Sequence, residues 1–329
     1  MARMRDPNII FVAQAGRLAA EALLFAASLR AASPNYSGRL FAAEPSPGPL
    51  WPEDPRINDA DTYAALDRLG VEILPFENRF FGASYPNANK IEALACLPAE
   101  PVVFFDSDTL ITGNLADLDF DAARPSASMA RTGTWPVPEL YGPNYEQIWA
   151  SLYALFGLDF SSSQDISQPA DHWERFLYFN AGWFTAPDPQ AFANRMLPMM
   201  TAIRDTPPPE LICQEIYPWL DQIALPLTLH ALGGGRPGKN LDDLDGACSW
   251  HYQSLATIYA RGTDATVDFL GDVTAPNWIK KVLKRHPPFH RLIYRGDGLR
   301  VRKSLKERAP ALSDEKLRKR LRRMKLWLR

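Results

Sequence analysis

At 329 residues, with 46% hydrophobic and 22% charged residues, the chain has the make-up of a globular protein, long enough for one large α/β domain or two small ones. Its three cysteines, Cys96, Cys213 and Cys248, are too few and too scattered for a disulfide framework or a zinc site; Cys96 and Cys213 read as small core residues of a reduced, intracellular protein. The net charge of −2 hides an asymmetry, because residues 301–329 hold twelve Lys or Arg against three acids, a net +9 that leaves −11 on residues 1–300.

The basic opening MARMRDP is followed by an apolar run, Asn8–Ala13, of strand length only. The next apolar stretch, Leu18 to Leu29, contains Glu21 and ends at Arg30, well short of a membrane span. A protein made and kept in the cytoplasm is therefore expected. NIIFVA (8–13) predicts a first strand, residues 18–32 an Ala-rich helix and 38–44 a second strand. A Pro-rich loop covers 45–55. Asp59 or Asp61 can cap a helix that ends at Gly70, and VEILPF (71–76) is the next strand. A helix over 89–97 leads through Pro98 into the continuous apolar run at 102–105, a buried central strand. Strands alternating with helices predict an α/β fold with a mostly parallel central sheet flanked by helices.

Residues 124–170 turn irregular, rich in Pro, Gly, Ser and aromatics, and are expected to form a substrate-facing excursion rather than a disordered one. Strand character returns at FLYFNAGWF (176–184), followed by helices over 188–204 and 210–220. A further apolar stretch, 220–232, runs into the Gly-rich GGGRPG.

The densest chemistry lies in PVVFFDSDTLITGNL (101–115), where Asp106 and Asp108 stand one residue apart at the end of the central strand. Asp-Ser-Asp-Thr also makes a good turn by side-chain to backbone hydrogen bonding. In open α/β sheets, however, ligands bind outside the carboxyl ends of the strands. Two acids at that edge repel unless a cation lies between them, and hard oxygen ligands suit Mg²⁺ or Mn²⁺. Such a cation can bridge a diphosphate, so a nucleotide ligand is the leading reading.

Four segments in this order, the strand and helix of 8–32, NKIEAL (89–94) before FFDSDTL (104–110), FNAGWF (179–184) and LDQIAL (220–225), resemble the retaining glycosyltransferases of family 8. The resemblance spans about two thirds of the chain. It implies the GT-A nucleotide-diphospho-sugar transferase fold, a nucleotide-sugar donor such as a UDP-sugar, a glycan or lipid-linked acceptor, and a divalent metal, usually Mn²⁺. It also implies roles residue by residue. Asp106 and Asp108 match the metal pair, with Ser107 between them in the donor site, and Lys90 matches a basic residue that reaches the donor. Asn180 and Ala181 match the segment beside the donor sugar, and Asp221 and Gln222 the acidic–amide pair near the reacting carbon. Ala13 and Gln14 fall where base and ribose are held, although the family's usual polar residues are replaced there. The third metal ligand corresponds to His251 in SWHYQSLATI, which lacks the glycine and the Lys-Pro-Trp that follow it in the family; His230 is the rival. Arg236 or Lys239 could replace the lost phosphate contacts.

Two other classes compete. A haloacid-dehalogenase-like phosphatase also begins at an acid pair after a strand, but wants Thr or Val where this chain has Leu110. A non-catalytic membrane-surface module is suggested by the tail, where Leu317, Leu321, Met324 and Leu328 recur at helical spacing among Arg and Lys. Residues 1–300 are thus expected to form the transferase domain. Residues 301–329 would form a basic amphipathic tail that holds the enzyme peripherally at an anionic membrane face, with no nucleic-acid partner. A basic helix docked on the acidic body, or a nucleic-acid contact, is the alternative for that tail.

Overall fold

A computed structural model describes residues 3–130 and 134–328. Strands β1 (Asn8–Val12), β2 (Leu40–Pro45) and β3 (Val71–Phe76) pair in parallel, and β4 (Val102–Phe105) joins β1 in parallel on its other side. The chain then leaves the sheet through a short strand β5 (Thr109–Ile111). It returns as the two-residue β6 (Ala127–Ser128) and as β7 (Asn180–Ala186), which runs antiparallel to both β4 and β6. The sheet order is β3-β2-β1-β4-β7-β6. Four neighbouring parallel strands with helices on both faces fulfil the α/β expectation.

Side chains alternate between the faces, as the pleat requires. Ile10, Phe104 and Phe184 point into a cluster shared with two helices that the sequence places one after another, and Ile9, Phe11, Val103, Phe105 and Trp183 point into a second cluster beneath α1 (Arg17–Ala32). The Phe104 and Phe184 rings stack at 4.9 Å, and Phe11 meets Phe25 of α1 at 4.8 Å. Each such side chain taken from water contributes about 1.5–3 kcal/mol. α1 is apolar nearly all round and is buried on both sides, as such helices must be.

Further along, α2 (Ala60–Arg68) is capped by Asp59, whose carboxylate accepts from the Asp61 amide, and Gly70 ends it at φ 68°. α3 covers Asn89–Glu92, then tightens to a 3₁₀ turn over Ala93–Cys96, which leaves Cys96 exposed. The excursion at 124–170 is less irregular than expected: α4 (Tyr145–Leu155) lies inside it, held by a reciprocal cap between Asn144 and Gln147. Its residues 131–133 lie outside the described residues. Residues 176–179 are buried but not strand, so the second half of FLYFNAGWF alone pairs.

α5 (Pro189–Asp205) follows Asp188 as its cap and packs on α6 (Leu220–Ala231). The helix expected at 210–220 is absent. A 3₁₀ turn spans Pro209–Leu211, and turns run on to Trp219, because the prolines on either side remove helical hydrogen bonds. Cys213 is consequently exposed, and of the three cysteines Cys248 alone is buried.

After β8 (Ser249–His251), helices α7 (Leu255–Arg261), α8 (Asp264–Thr274), α9 (Asn277–Leu283), α10 (Asp297–Leu305) and α11 (Asp314–Arg323) build a third layer against α1. The domain boundary expected at residue 300 falls inside α10. In α11, Leu317 and Leu321 are 2% and 0% exposed, in one cluster with Leu23 and Leu24 of α1. The apolar stripe read as a lipid-facing surface is packed against protein, with Met324 and Leu328 partly buried on the same cluster.

Candidate functional site

The site is built on the turn after β4, and a long-range strand pairing beyond it brings in a candidate third ligand. β5 pairs antiparallel with β8 in a register that sets His251 opposite Thr109 and Trp250 opposite Leu110. The Tyr252 amide donates to the Asp108 carbonyl at 2.9 Å, closing the ladder at the turn. This pairing brings a histidine from 143 residues downstream of Asp108 onto the acid pair: its Nε2 lies 3.1 Å from Asp108 Oδ1 and 3.7 Å from Asp106 Oδ2. Asp106, Asp108 and His251 each offer a ligand atom within 4.8 Å of the others, and each is partly exposed. Two carboxylate oxygens and an imidazole nitrogen form a donor set suited to a divalent metal ion. His230 is elsewhere, on α6, with its ring against Tyr153 and its Nε2 3.3 Å from Ser162 Oγ.

Gly182 explains the FNAG segment. A Cβ there would sit 2.4 Å from His251 Nδ1, so no larger residue leaves the imidazole in place. Its carbonyl accepts from the Asp106 amide at 2.8 Å, tying β7 to the turn. Asn180 shapes the approach: its Oδ1 accepts from the Gly182 amide at 2.9 Å and its Nδ2 donates to the Ala130 carbonyl at 2.8 Å. Pairing between β6 and β7 slips in register at this point.

Lys90, on α3, is 7% exposed and stands between Asp106 at 3.2 Å and Asp221 at 3.0 Å, with the Ala181 carbonyl 3.4 Å away. Burial alone would lower its pKa, but the two carboxylates outweigh burial and hold it above the ordinary lysine value. Asp221 is buried at the start of α6, where Tyr85 Oη donates to its Oδ1 at 2.6 Å and receives the Asp221 amide at 3.1 Å. Gln222 Oε1 accepts from Tyr178 Oη at 2.7 Å. Three carboxylates (Asp106, Asp108, Asp221) thus meet one lysine and one histidine, leaving negative charge that a dication would balance. Burial raises Asp106, helped by Asp108 and Asp221 and opposed by Lys90 and His251. Burial also opposes the charge on His251, yet Asp108 and Asp106 push its pKa up to about 9.

Some expected contacts take other forms. Ser107 is 5% exposed and its hydroxyl lies 3.5 Å from Glu21 Oε2, turned toward α1. Ala13 is fully buried at the end of β1, its amide donating to the Ala43 carbonyl at 2.8 Å, while Gln14 is partly exposed and its Oε1 is 3.4 Å from Asn89 Nδ2. Both sit at the carboxyl edge of the sheet, one strand from the acid turn. Arg236 donates to the backbone carbonyls of Ser163, Glu174 and Arg175, so it pins the excursion rather than facing the acid pair.

Sequence reasoning missed Tyr85 and Tyr178, which orient the acidic–amide pair, and Glu21. Glu21 interrupts the apolar face of α1, is 3% exposed and pairs with Arg17. Burial, then the nearby Asp108, raise its pKa to about 8 against the pull of Arg17. A lone carboxylate in an apolar helix was the available signal.

No curated protein matches the chain. Among solved structures, the galactosyltransferase LgtC in complex with donor and acceptor sugar analogues is 15% identical, with a TM-score of 0.44 over 83% of this chain and 99% of that one. The bifunctional glycosyltransferase WbbM in its apo form is 14% identical, with a TM-score of 0.45 over 87% of this chain and 53% of that one. The model of the Rhodobacterales glycosyltransferase domain matches residues 9–233, more than half of the chain and including all the site residues except His251. The chain belongs to that glycosyltransferase family.

Proposed function

We propose that the protein is a GT-A-type hexosyltransferase that moves a sugar from a nucleoside diphosphate donor, a UDP-sugar, to a glycan or lipid-linked acceptor. The observation that carries this reading is the convergence of Asp106, Asp108 and His251 beside the Lys90–Asp221 pair. Asp106, Asp108 and His251 would hold a Mn²⁺ or Mg²⁺ ion. Such an ion, when bound, supplies positive charge against the diphosphate that leaves. Ala13 and Gln14 would border the nucleoside, and Ser107 would serve through the turn's backbone rather than its hydroxyl.

The chain's own residues do the rest. Lys90 holds Asp106 and Asp221 in fixed relation, so that preorganised charge surrounds the bond that breaks. Asn180, Asp221 and Gln222 orient the sugar and stabilise the positive charge that grows at its anomeric carbon. The carbon–phosphate oxygen bond breaks, a bond from the acceptor oxygen forms on the same face, and the departing phosphate takes the acceptor's proton, giving retention. The phosphatase alternative is not favoured: the position it needs is Leu110, fully buried.

Among the described residues no helix is long and apolar enough to cross a membrane. Peripheral association in the cytoplasm would rest on charge alone, on the exposed Lys316, Lys319, Arg322 and Arg323 of α11 and Lys325 just beyond it. A thermal-shift screen of nucleotide sugars with and without Mn²⁺, followed by proton NMR of the product's anomeric centre, tests the reading. Stabilisation by UDP-sugars only with metal, and a product of unchanged anomeric configuration, are expected. Indifference to every nucleotide sugar would refute it.

A further inference from the structure

A cavity of about 400 Å³ opens on the His251 side of the candidate metal cluster. Asn180 and His251 form part of its wall, and Trp250, Arg261, Arg318 and Trp327 form another part. The C-terminal segment, read from sequence as a basic membrane-facing tail, therefore lines a space bordered by one of the candidate metal ligands, His251. Asn180 belongs to β7, which lies on the opposite side of β4 from β1. If the donor extends from the acid turn toward Ala13 and Gln14 at the end of β1, the β7 side is left for a second substrate; this step rests on the transferase reading above.

The lining has the chemistry of a saccharide site. The aromatic surface that Trp250 and Trp327 add to the lining suits the apolar C–H groups of a pyranose ring, and amide and carboxylate groups suit its hydroxyls. The charges add a selection. Arg261 donates to Asp314 Oδ1 and to the Leu312 carbonyl, so its charge is balanced, although its Nε, like that of Arg318, is buried without a hydrogen-bond partner. The Arg318 guanidinium lies over the Trp327 ring, 5.1 Å from its centroid, and its Nε is buried without a hydrogen-bond partner. A buried donor left unmet is costly, and an anionic oxygen is the partner that guanidinium geometry recognises best. We propose that this cavity is the acceptor subsite and that it takes a saccharide carrying a phosphate or carboxylate group, which Arg318 of the C-terminal helix recognises.

The test titrates the full chain with methyl glucoside, glucose 6-phosphate, methyl glucuronide and inorganic phosphate, followed by tryptophan fluorescence, with and without saturating UDP and Mn²⁺. At least one anionic sugar is expected to bind about ten-fold more tightly than methyl glucoside, in line with one charge-assisted contact, and the arm that shows the gain names the anion. Arg318→Gln should erase that preference and Arg318→Lys should restore part of it. Should Arg318→Gln not fold, Trp327→Leu should weaken every sugar together. A wild-type protein without preference, a preference that survives Arg318→Gln, inorganic phosphate binding as tightly as the sugar phosphate, or displacement of the sugar by UDP would each overturn the assignment. UDP binding by the wild type with and without Mn²⁺ reads the transferase proposal separately.

Discussion

The turn after β4 and the helix α11 are both short charged segments with regular spacing, and folding treats them differently. In the turn, Asp106 and Asp108 carry their meaning in their own charges: two acids held together want a cation, and the fold brings His251 to 3.1 Å from one of them. In α11, the spacing of Leu317 and Leu321 says only that one face is apolar. Lipid and protein cover such a face equally well, and here the cover is α1 and the helices around it. A pattern that specifies a ligand by charge survives the move from sequence to structure; a pattern that specifies only apolarity waits for the tertiary packing.

The sharpest way to break that contrast is to remove the helix. Deleting residues 310–329 takes Leu317, Leu321 and Leu326, all at most 2% exposed, out of the core. Truncating one such leucine to alanine costs about 2–5 kcal/mol, and a domain's whole stability is about 5–15 kcal/mol. The shortened chain should therefore fail to fold, seen as loss of the cooperative thermal transition by circular dichroism. A truncated protein that melts like the full chain would restore the reading of this segment as a membrane-facing tail.

The turn is tested by Asp108→Asn, which keeps shape and removes one anionic ligand. Transfer should fall by about 10²–10³-fold or more, the scale of losing one preorganised charge contact, while the metal-free Tm changes little, because losing the His251 ion pair is offset by relief of the repulsion from Asp106 and Glu21. Near-native turnover at saturating metal would remove Asp108 from the machinery. A smaller effect is expected from Gly182→Ala. The added methyl collides with the His251 ring, so metal affinity should fall about 10–100-fold, as for other groups that only position a ligand. Isothermal titration with Mn²⁺ measures it, and unchanged affinity would mean that His251 is not a ligand.

The smallest effect is on pH. His251 has its pKa raised from 6.5 to about 9 in the folded, metal-free protein, so its stabilisation is full below pH 6.5 and is lost as pH climbs through 9. Glu21, raised from 4.5 to about 8, penalises the folded state increasingly across pH 4.5–8, in the same direction. Metal-free Tm should therefore decline between pH 6.5 and 8.5. Metal binding needs the neutral imidazole, so the gain in Tm from Mn²⁺ should grow over the same interval. A metal-free Tm that rises with pH would contradict both assignments.

Much of this was legible in particular residues. The apolar run 102–105 ending in two acids placed the site at a strand's carboxyl edge, and NIIFVA, VEILPF and the cap at Asp59 placed the layers around it. What the sequence did not show depended on contacts distant along the chain. The Lys90–Asp221 pair and the β5–β8 register join segments 131 and 140 residues apart, and no local pattern states a register. α4 was legible after all: Asn144 and Gln147 form a capping box ahead of Ile148, Trp149, Leu152 and Tyr153 at helical spacing, overlooked beneath the surrounding prolines and glycines. The helix expected at 210–220 failed for the opposite reason, its apolar residues outweighing the breakers that bound it.

The central claim is that a diphosphate is held through a cation on Asp106, Asp108 and His251. Calorimetric titration of the wild-type protein with UDP, first in Mn²⁺ and then in EDTA, tests it most directly. The account predicts a saturable isotherm in Mn²⁺ and at least about a 100-fold loss of affinity in EDTA, a difference of about 2.7 kcal/mol. Equal affinity in the two buffers would contradict it.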